Sequence, residues 1–474
     1  MNYPFWDVPH IGSGWVIGLI AIFHVMISHF AVGGGFYLPL AEQKALREGR
    51  RDWLEKLHGH SRFFLILTGV FGAVSGVGIW FAIGLANPEA TSTLIHNFVF
   101  GWGIEWVFFI IELSAAAVYY FTWDRVSDKL HLKVGWLYAI SSFCTLFIIN
   151  GILAFMLTPG DPWLAVAGTG NEASRFWQAL FNPTFWPNLL MRTLVCISLA
   201  GIWALVSYSR IDGVKFPQLK AELVRWSAKW LIPSFALLPL ALGWYLWSVP
   251  ESQRALLSLG VSTIGPGAFT QVTRTVFMIA MTSATIVGVV YFFAWRSPVE
   301  FTFGHACAVL VLALTATASG EYAREMLRKP YVIGHHMYSN GVRVTRADTA
   351  EKRQQSFLAD SIWVSTRANL DPQTAIGEAM FRGECASCHT RDSYRSMKRL
   401  LTGRDRVAIA NVLNILHEYS ADSTYRAYMP PLVGTPDEIR ALVDYLASLN
   451  SAPLNEAATK SAPSAPSQPV PKGN

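Results

Sequence analysis

The residues best equipped for chemistry lie late in the chain, in Cys385-Ala386-Ser387-Cys388-His389. Two thiols three positions apart, followed at once by an imidazole, form the pattern of covalent c-type haem attachment. The thiols take up the vinyl groups and the histidine ligates iron. A zinc centre would need two further Cys or His ligands at suitable spacing, and His417 is the only other histidine in that region. Forty positions beyond His389, Tyr428-Met429-Pro430-Pro431 offers Met429 as a second axial ligand. A thioether opposite histidine keeps the iron six-coordinate and suits electron transfer more than ligand chemistry. The competing reading makes Met429 a packed core residue. Cys144, Cys196 and Cys307 stand singly in apolar stretches, where buried inert thiols are expected rather than a disulfide framework.

A second group of candidates is scattered. His24, His29, Glu105, Glu112, His305 and Glu325 sit in or at the ends of long apolar runs, where an ionisable side chain is expensive to insert and so is a functional candidate. His24 and His29 are five apart, about 140° around a helix, so they do not share a face. Glu105 and Glu112 are seven apart, nearly in register, and suit a proton relay or a metal ligand. His29 and His305 read as helix-packing residues, His335 and His336 as solvated or interfacial ones, and His58 and His60 carry no assigned chemistry.

The elements that must position these residues are membrane helices. Hydrophobic residues make up 52% of the 474 and charged ones 15%, which argues against an ordinary soluble protein. Eight runs have the length of about 18 or more apolar residues that a crossing of a roughly 30 Å hydrocarbon core requires. They are Trp15 to Leu40, Phe63 to Ala86, Phe98 to Trp123, Val134 to Leu157, Leu189 to Tyr208, Trp230 to Trp247, Val276 to Trp295 and Phe303 to Ser319. The first run is too long, and lacks the basic leader, for a cleavable signal peptide.

Basic residues collect after the first run (Lys44, Arg47, Arg50, Arg51, Lys56) and after the fifth (Arg210, Lys215, Lys220, Arg225). The alternate loops hold none between Asn87 and Asn97, only Arg175 between Pro159 and Pro187, and only Arg254 between Pro250 and Gln271. Basic loops stay in the cytoplasm, so the chain starts outside and returns there after Ser319. The expected place is a bacterial inner membrane, multi-pass, with the C-terminal part periplasmic. The formal charge of +6 is then a topology signal, and a nucleic-acid partner is not expected.

Gln373 to Arg382 reads as a helix entering the Cys motif, and Thr435-Pro436-Asp437-Glu438 as an N-cap and acidic first turn of a helix reaching Leu449. With the motif and Met429 between them, residues 373–450 resemble a class I monohaem cytochrome c. Residues 334–372 read as a connector. Residues 451–474, rich in Ala, Pro and Ser, read as a disordered tail.

Residues 1–333 resemble subunit I of the cytochrome bd quinol oxidases. The likeness is carried by Gly18 to His24 with Gly33 and Glu42, by Ile104-Glu105 to Glu112 with Trp123-Asp124-Arg125-Val126-Ser127 and His131-Leu132, by Asn150-Gly151 and Thr158-Pro159-Gly160, and by Glu325-Met326-Leu327-Arg328-Lys329-Pro330-Tyr331. This resemblance implies that His24 and Glu325 ligate membrane haem iron, that Arg328 pairs with a propionate, and that Glu105 and Glu112 form a protonatable pair. It implies haem b, and haem d if the high-spin centre is of that type, together with at least one further membrane subunit. The sequence departs from the family in four places. Glu105 and Glu112 are one residue closer together than the family's pair, and Leu189 to Tyr208 contains no histidine for a low-spin haem. Val276 stands two after Arg274 where the family has that haem's methionine, with Met278 and Met281 near, and the stretch from Ser248 to Thr275 is short for a quinol-binding insertion.

The expected fold is therefore all-α, a polytopic bundle of about eight transmembrane helices followed by a small all-α periplasmic domain. The expected function is electron transfer between one covalent haem c and membrane-embedded b- or d-type haem, in a subunit of a bd-like terminal oxidase. One alternative carries electrons from quinol, oxidised in a partner subunit, out to a periplasmic cytochrome or another electron-transfer partner. A non-enzymatic alternative makes the bundle a non-catalytic anchor for the haem c domain.

Overall fold

The computed structural model describes Trp6 and residues 8–251, 253–254, 271–364 and 370–451. The expected tail beyond residue 451 and most of the stretch between the sixth and seventh helices lie outside them. Among the described residues, eight helices are long and apolar enough to cross a membrane: α1 (Ser13–Arg47), α2 (Arg51–Ala86), α3 (Val99–Phe121), α4 (Asp128–Leu157), α5 (Phe185–Tyr208), α6 (Pro217–Ser248), α7 (Thr273–Arg296) and α8 (Phe303–Arg328). The chain is a multi-pass membrane protein.

Each expected run lies within one of these helices or within two residues of its ends, but several helices overrun the apolar stretch. Helix α2 starts at Arg51 rather than Phe63, and α6 at Pro217 rather than Trp230. The added turns are amphipathic: Trp53, Leu54 and Leu57 face the bundle while Arg51, Asp52 and Glu55 are exposed. Hydropathy measures the span, whereas backbone hydrogen bonding and one apolar stripe suffice to continue a helix past it. For the same reason α8 continues beyond Ser319 and carries Glu325 and Arg328 in its last turn.

Close helix crossings need small residues. Gly33 of α1 lies so near the carbonyl of Cys196 on α5 that any side chain there would collide with it. The main core joins Phe30, Tyr37, Phe64, Tyr119, Leu205 and Leu223 from five of the helices.

After α8 a short hairpin, β1 (Tyr331–Ile333) with β2 (Met337–Tyr338), leads into the C-terminal domain. Its helices are α9 (Pro372–Met380), α10 (Arg406–Glu418) and α11 (Pro436–Ser451). The start of α11 is a capping box: Thr435 N donates to Glu438 Oε2 at 2.8 Å, and Glu438 N donates to Thr435 Oγ1 at 3.2 Å. Gly377 lets α9 press against the Ala441 carbonyl of α11. Tyr338, Val342, Ala347 and Phe357, which precede these helices, share one core with Met380, Leu413 and Leu442.

The C-terminal domain sits over the face on which α1 begins and α8 ends. Tyr394 N donates to His10 O at 3.4 Å, its ring meets Trp15 edge-on at 5.5 Å, and Arg343 pairs with Glu89 at 2.9 Å.

Candidate functional site

The Cys motif follows α9 through one wide turn, Phe381–Cys385. Both thiols are free. His389 Nδ1 lies 3.1 Å from the Arg395 carbonyl. A carbonyl can only accept, so Nδ1 carries the proton and Nε2 is the nitrogen left to bind iron. Burial holds the imidazole below its ordinary pKa, in the neutral form that ligates metal. Met429 packs against the same core as Cys385 and Ala386. Two free thiols, an imidazole with its outer nitrogen unengaged and a thioether on a shared core make a donor set that fits a c-type haem.

Cys388 faces the membrane domain. Lys329 Nζ donates to its sulfur at 3.3 Å, and the Ser339 hydroxyl is 3.9 Å from it. Burial pushes the Cys388 thiol up, but the Lys329 ammonium, Ser387 and Arg395 outweigh burial and hold it below its usual value. Cys385 has no such cation, and burial pushes its thiol up. Lys329 also pairs with Glu325 at 2.9 Å, Arg328 pairs with the other oxygen of Glu325, and Arg395 reaches Met326 Sδ at 3.7 Å. The Cys385–His389 loop thus rests on the last turn of α8, the turn that carries Glu325 and Arg328.

Within the bundle, His24 is half-buried, with Nδ1 3.0 Å from Ser75 Oγ on α2. The Ser75 hydroxyl donates to Phe71 O at 2.6 Å, so Nδ1 is the donor to it. That arrangement suits a ligand oriented from behind. His24 and Glu325 are not in contact: Glu325 is held by Arg328 and Lys329 of its own helix end. Met26 of α1 and Thr317 of α8 meet at 3.3 Å, so the helices bearing the two candidates are neighbours. Glu112 is buried and accepts from Tyr138 OH at 3.2 Å. Glu105 is half-buried two turns away on α3. His29 is buried with Nδ1 on Val25 O at 2.9 Å. His305 caps α8 with Thr302 and stacks on Phe293, and His58 stacks on Trp123, so both have structural employment.

Two arrangements escaped the sequence reading. Glu42 of α1 accepts from Tyr119 OH and lies against His131 Nδ1, both at 2.7 Å, while His131 Nε2 reaches Tyr119 O at 2.8 Å. This closed triad locks α1, α3 and α4 together at the face opposite the C-terminal domain. The second lies nearer that domain: Arg324 binds Glu321 through Nε and Nη2 at 3.0 and 2.7 Å, and Arg192 of α5 is within electrostatic reach of both and of Tyr245. The available signals were Arg192 inside an apolar run and an acid-base pair one turn before Glu325.

The family model of the cytochrome bd terminal oxidase subunit I matches residues 13–246, from α1 into α6. Over this stretch, just under half of its length, the chain resembles that family. It is similar to the cytochrome bd-II ubiquinol oxidase subunit 1 of Escherichia coli (strain K12), 25% identical over 185 residues, which are 38% of this chain and 34% of that one. A second stretch is similar to the cbb3-type cytochrome c oxidase subunit CcoP of Rubrivivax gelatinosus, 35% identical over 96 residues, or 19% of this chain and 31% of the relative. The chain therefore spans about a third of the length of each of these relatives. Among solved structures, the bd oxidase from Geobacillus thermodenitrificans superposes with a TM-score of 0.58 at 16% identity, covering 68% of this chain and 87% of that one. At that identity the likeness speaks for the bd fold alone.

Proposed function

We propose that the protein is a membrane subunit of a bd-like terminal oxidase whose C-terminal domain is a fused c-type cytochrome exchanging electrons with the membrane domain. The observation that carries this reading is the contact of Lys329 with Cys388. It sets the attachment loop of the C-terminal domain on the helix end that bears Glu325 and Arg328. In this reading residues 1–333 are the bd-like domain and 373–450 the cytochrome c domain, with 334–372 packed between them. The face carrying the C-terminal domain is periplasmic, in keeping with the basic loops on the other side.

Cys385 and Cys388 would hold haem c covalently, with His389 and Met429 as axial ligands. His24 and Glu325 would hold membrane haem of b or d type, with Arg328 on a propionate. A bound haem supplies a reversible one-electron centre and, where one iron position stays open, a place for oxygen.

The chain's own residues do the rest. The Arg395 carbonyl and Ser75 orient the two histidines. Lys329, Arg328 and Arg395 gather cationic charge at the junction, which favours an added electron on either side of it. Glu112, with Tyr138 behind it, and Glu105 are placed to hold protons along α3. A further membrane subunit would cover apolar helix faces such as Phe100, Trp106 and Phe121.

The test is to reduce the purified complex anaerobically, assign its haems by pyridine haemochrome spectra, and admit oxygen. Reoxidation of both a covalent and a non-covalent haem, with oxygen consumed, is the expected result. Covalent haem alone would reduce the bundle to an anchor. Electrons leaving only to an added periplasmic-type cytochrome, with oxygen untouched, would support the quinol-to-cytochrome relay instead.

A further inference from the structure

Tyr419 occupies a backbone position that does not suit it. It is the residue that ends α10, at φ 47° and ψ 44°. That is the left-handed region where glycine or asparagine ordinarily closes a helix, and a bulky side chain there is an outlier. A residue kept in such a conformation points to a task for its side chain.

The side chain has one. Tyr419 OH donates to the main-chain carbonyl of Met429 at 3.2 Å. Its ring lies edge-on to Tyr338 at 6.1 Å, and the Arg426 guanidinium stands over it at 4.6 Å while donating to the Tyr419 carbonyl at 3.3 Å. Tyr338 in turn stacks on Tyr331, with centroids 5.0 Å apart and planes 17° apart. Tyr331 follows Pro330 directly at the end of α8. Three phenols thus run in file from the start of β1, just past the end of α8, to the main chain at Met429. Burial pushes the Tyr419 phenol up to about 12, so it is a neutral donor at ordinary pH.

We propose that Tyr419 is a positioning residue for Met429, and that the file Tyr331, Tyr338, Tyr419 lets the membrane domain set where the Met429 thioether sits. The proposal rests on the reading of Met429 as the axial ligand. Methionine has three rotatable side-chain bonds, so its sulfur is held in place only if the main chain beneath it is. Among the described residues, the hydrogen bond to the Met429 carbonyl comes from the phenol.

The experiment uses the full-length, haem-loaded protein and reads three quantities: the far-red thioether-to-iron absorbance, the midpoint potential of the covalent haem, and the melting temperature. Tyr419→Phe keeps the ring and should weaken the far-red band and lower the potential. Tyr419→Asn suits the left-handed backbone better, so a helix-capping role alone would leave the band intact and raise the melting temperature. The expected result is loss of most of the band without loss of covalent haem or stability. Tyr338→Leu should weaken the band less than either. The proposal is overturned if both Tyr419 variants keep the wild-type band and potential while Met429→Ala abolishes the band. If the wild-type protein lacks the band, or Met429→Ala retains it, the axial reading itself fails and the positioning role falls with it.

Discussion

The C-terminal domain and the membrane bundle solve the problem of gathering functional groups in opposite ways. In the C-terminal domain the candidate cofactor-binding residues are nearly contiguous, Cys385 to His389, and a single remote residue, Met429, completes the set. In the bundle, His24, Glu105, Glu112 and Glu325 come from three helices, and no two of them touch. Three of them are held by other partners instead: Ser75 for His24, Tyr138 for Glu112, Arg328 and Lys329 for Glu325. A covalent motif carries its geometry in its spacing. Single residues on separate helices carry no such spacing, and their geometry is set by how the helices pack.

The contrast is broken most severely by replacing both thiols, Cys385→Ala with Cys388→Ala. No thioether can then form in the proposed attachment, so haem-stained denaturing gels should show no covalent haem, and a persisting stain would place attachment elsewhere. Next in size, Glu325→Gln and His24→Ala should each lower non-covalent haem relative to covalent haem while the stained band stays. Should both variants keep the wild-type ratio and spectrum, the bundle's site is built from other residues, and the anchor reading gains.

A smaller effect sharpens how the two regions meet. Lys329→Met removes the ammonium from between Cys388 and Glu325. Haem content should be unchanged, but electrons should equilibrate more slowly between the covalent and non-covalent centres after a flash or rapid-mix reduction. Equal rates would show that the Lys329 contact is not the junction used.

The smallest concerns the C-terminal domain alone. Burial pushes the Glu438 carboxyl up, but hydrogen bonds from Ser356 Oγ and from the main-chain nitrogens of Thr435, Phe357 and Leu358 outweigh burial and hold it below the usual carboxylate range. A depressed folded-state pKa means that the unfolded chain binds the proton more tightly. The stabilisation is therefore present above the unfolded value and lost as pH falls through the folded one. Glu438→Gln should cost about 1–3 kcal/mol at neutral pH and flatten the acid limb of the melting curve. An unchanged limb would assign that titration to another carboxylate.

The eight spans were readable because hydropathy is local: roughly 18 apolar residues in a row leave a helix little choice in lipid. The cap at Thr435, the Cys motif and the bd-like runs were readable for the same reason, each lying within a few consecutive residues. What the sequence did not disclose was the rotation and tilt of each helix, on which every distant pairing depends. Hydropathy says that Arg192 and Glu321 lie in or next to a span, but not that α5 and α8 turn them toward each other. It likewise gives no reason for Lys329 to meet Cys388, 59 residues on, or for Tyr338, Val342, Ala347 and Phe357 to share a core with Leu442. Composition by itself determined the apolar spans, and short motifs singled out the candidate residues Cys385, Cys388 and His389. Only the tertiary structure decided which ends of the chain face each other, because packing against a specific neighbour, and no property of any one segment, sets a helix's rotation and where its last turn docks.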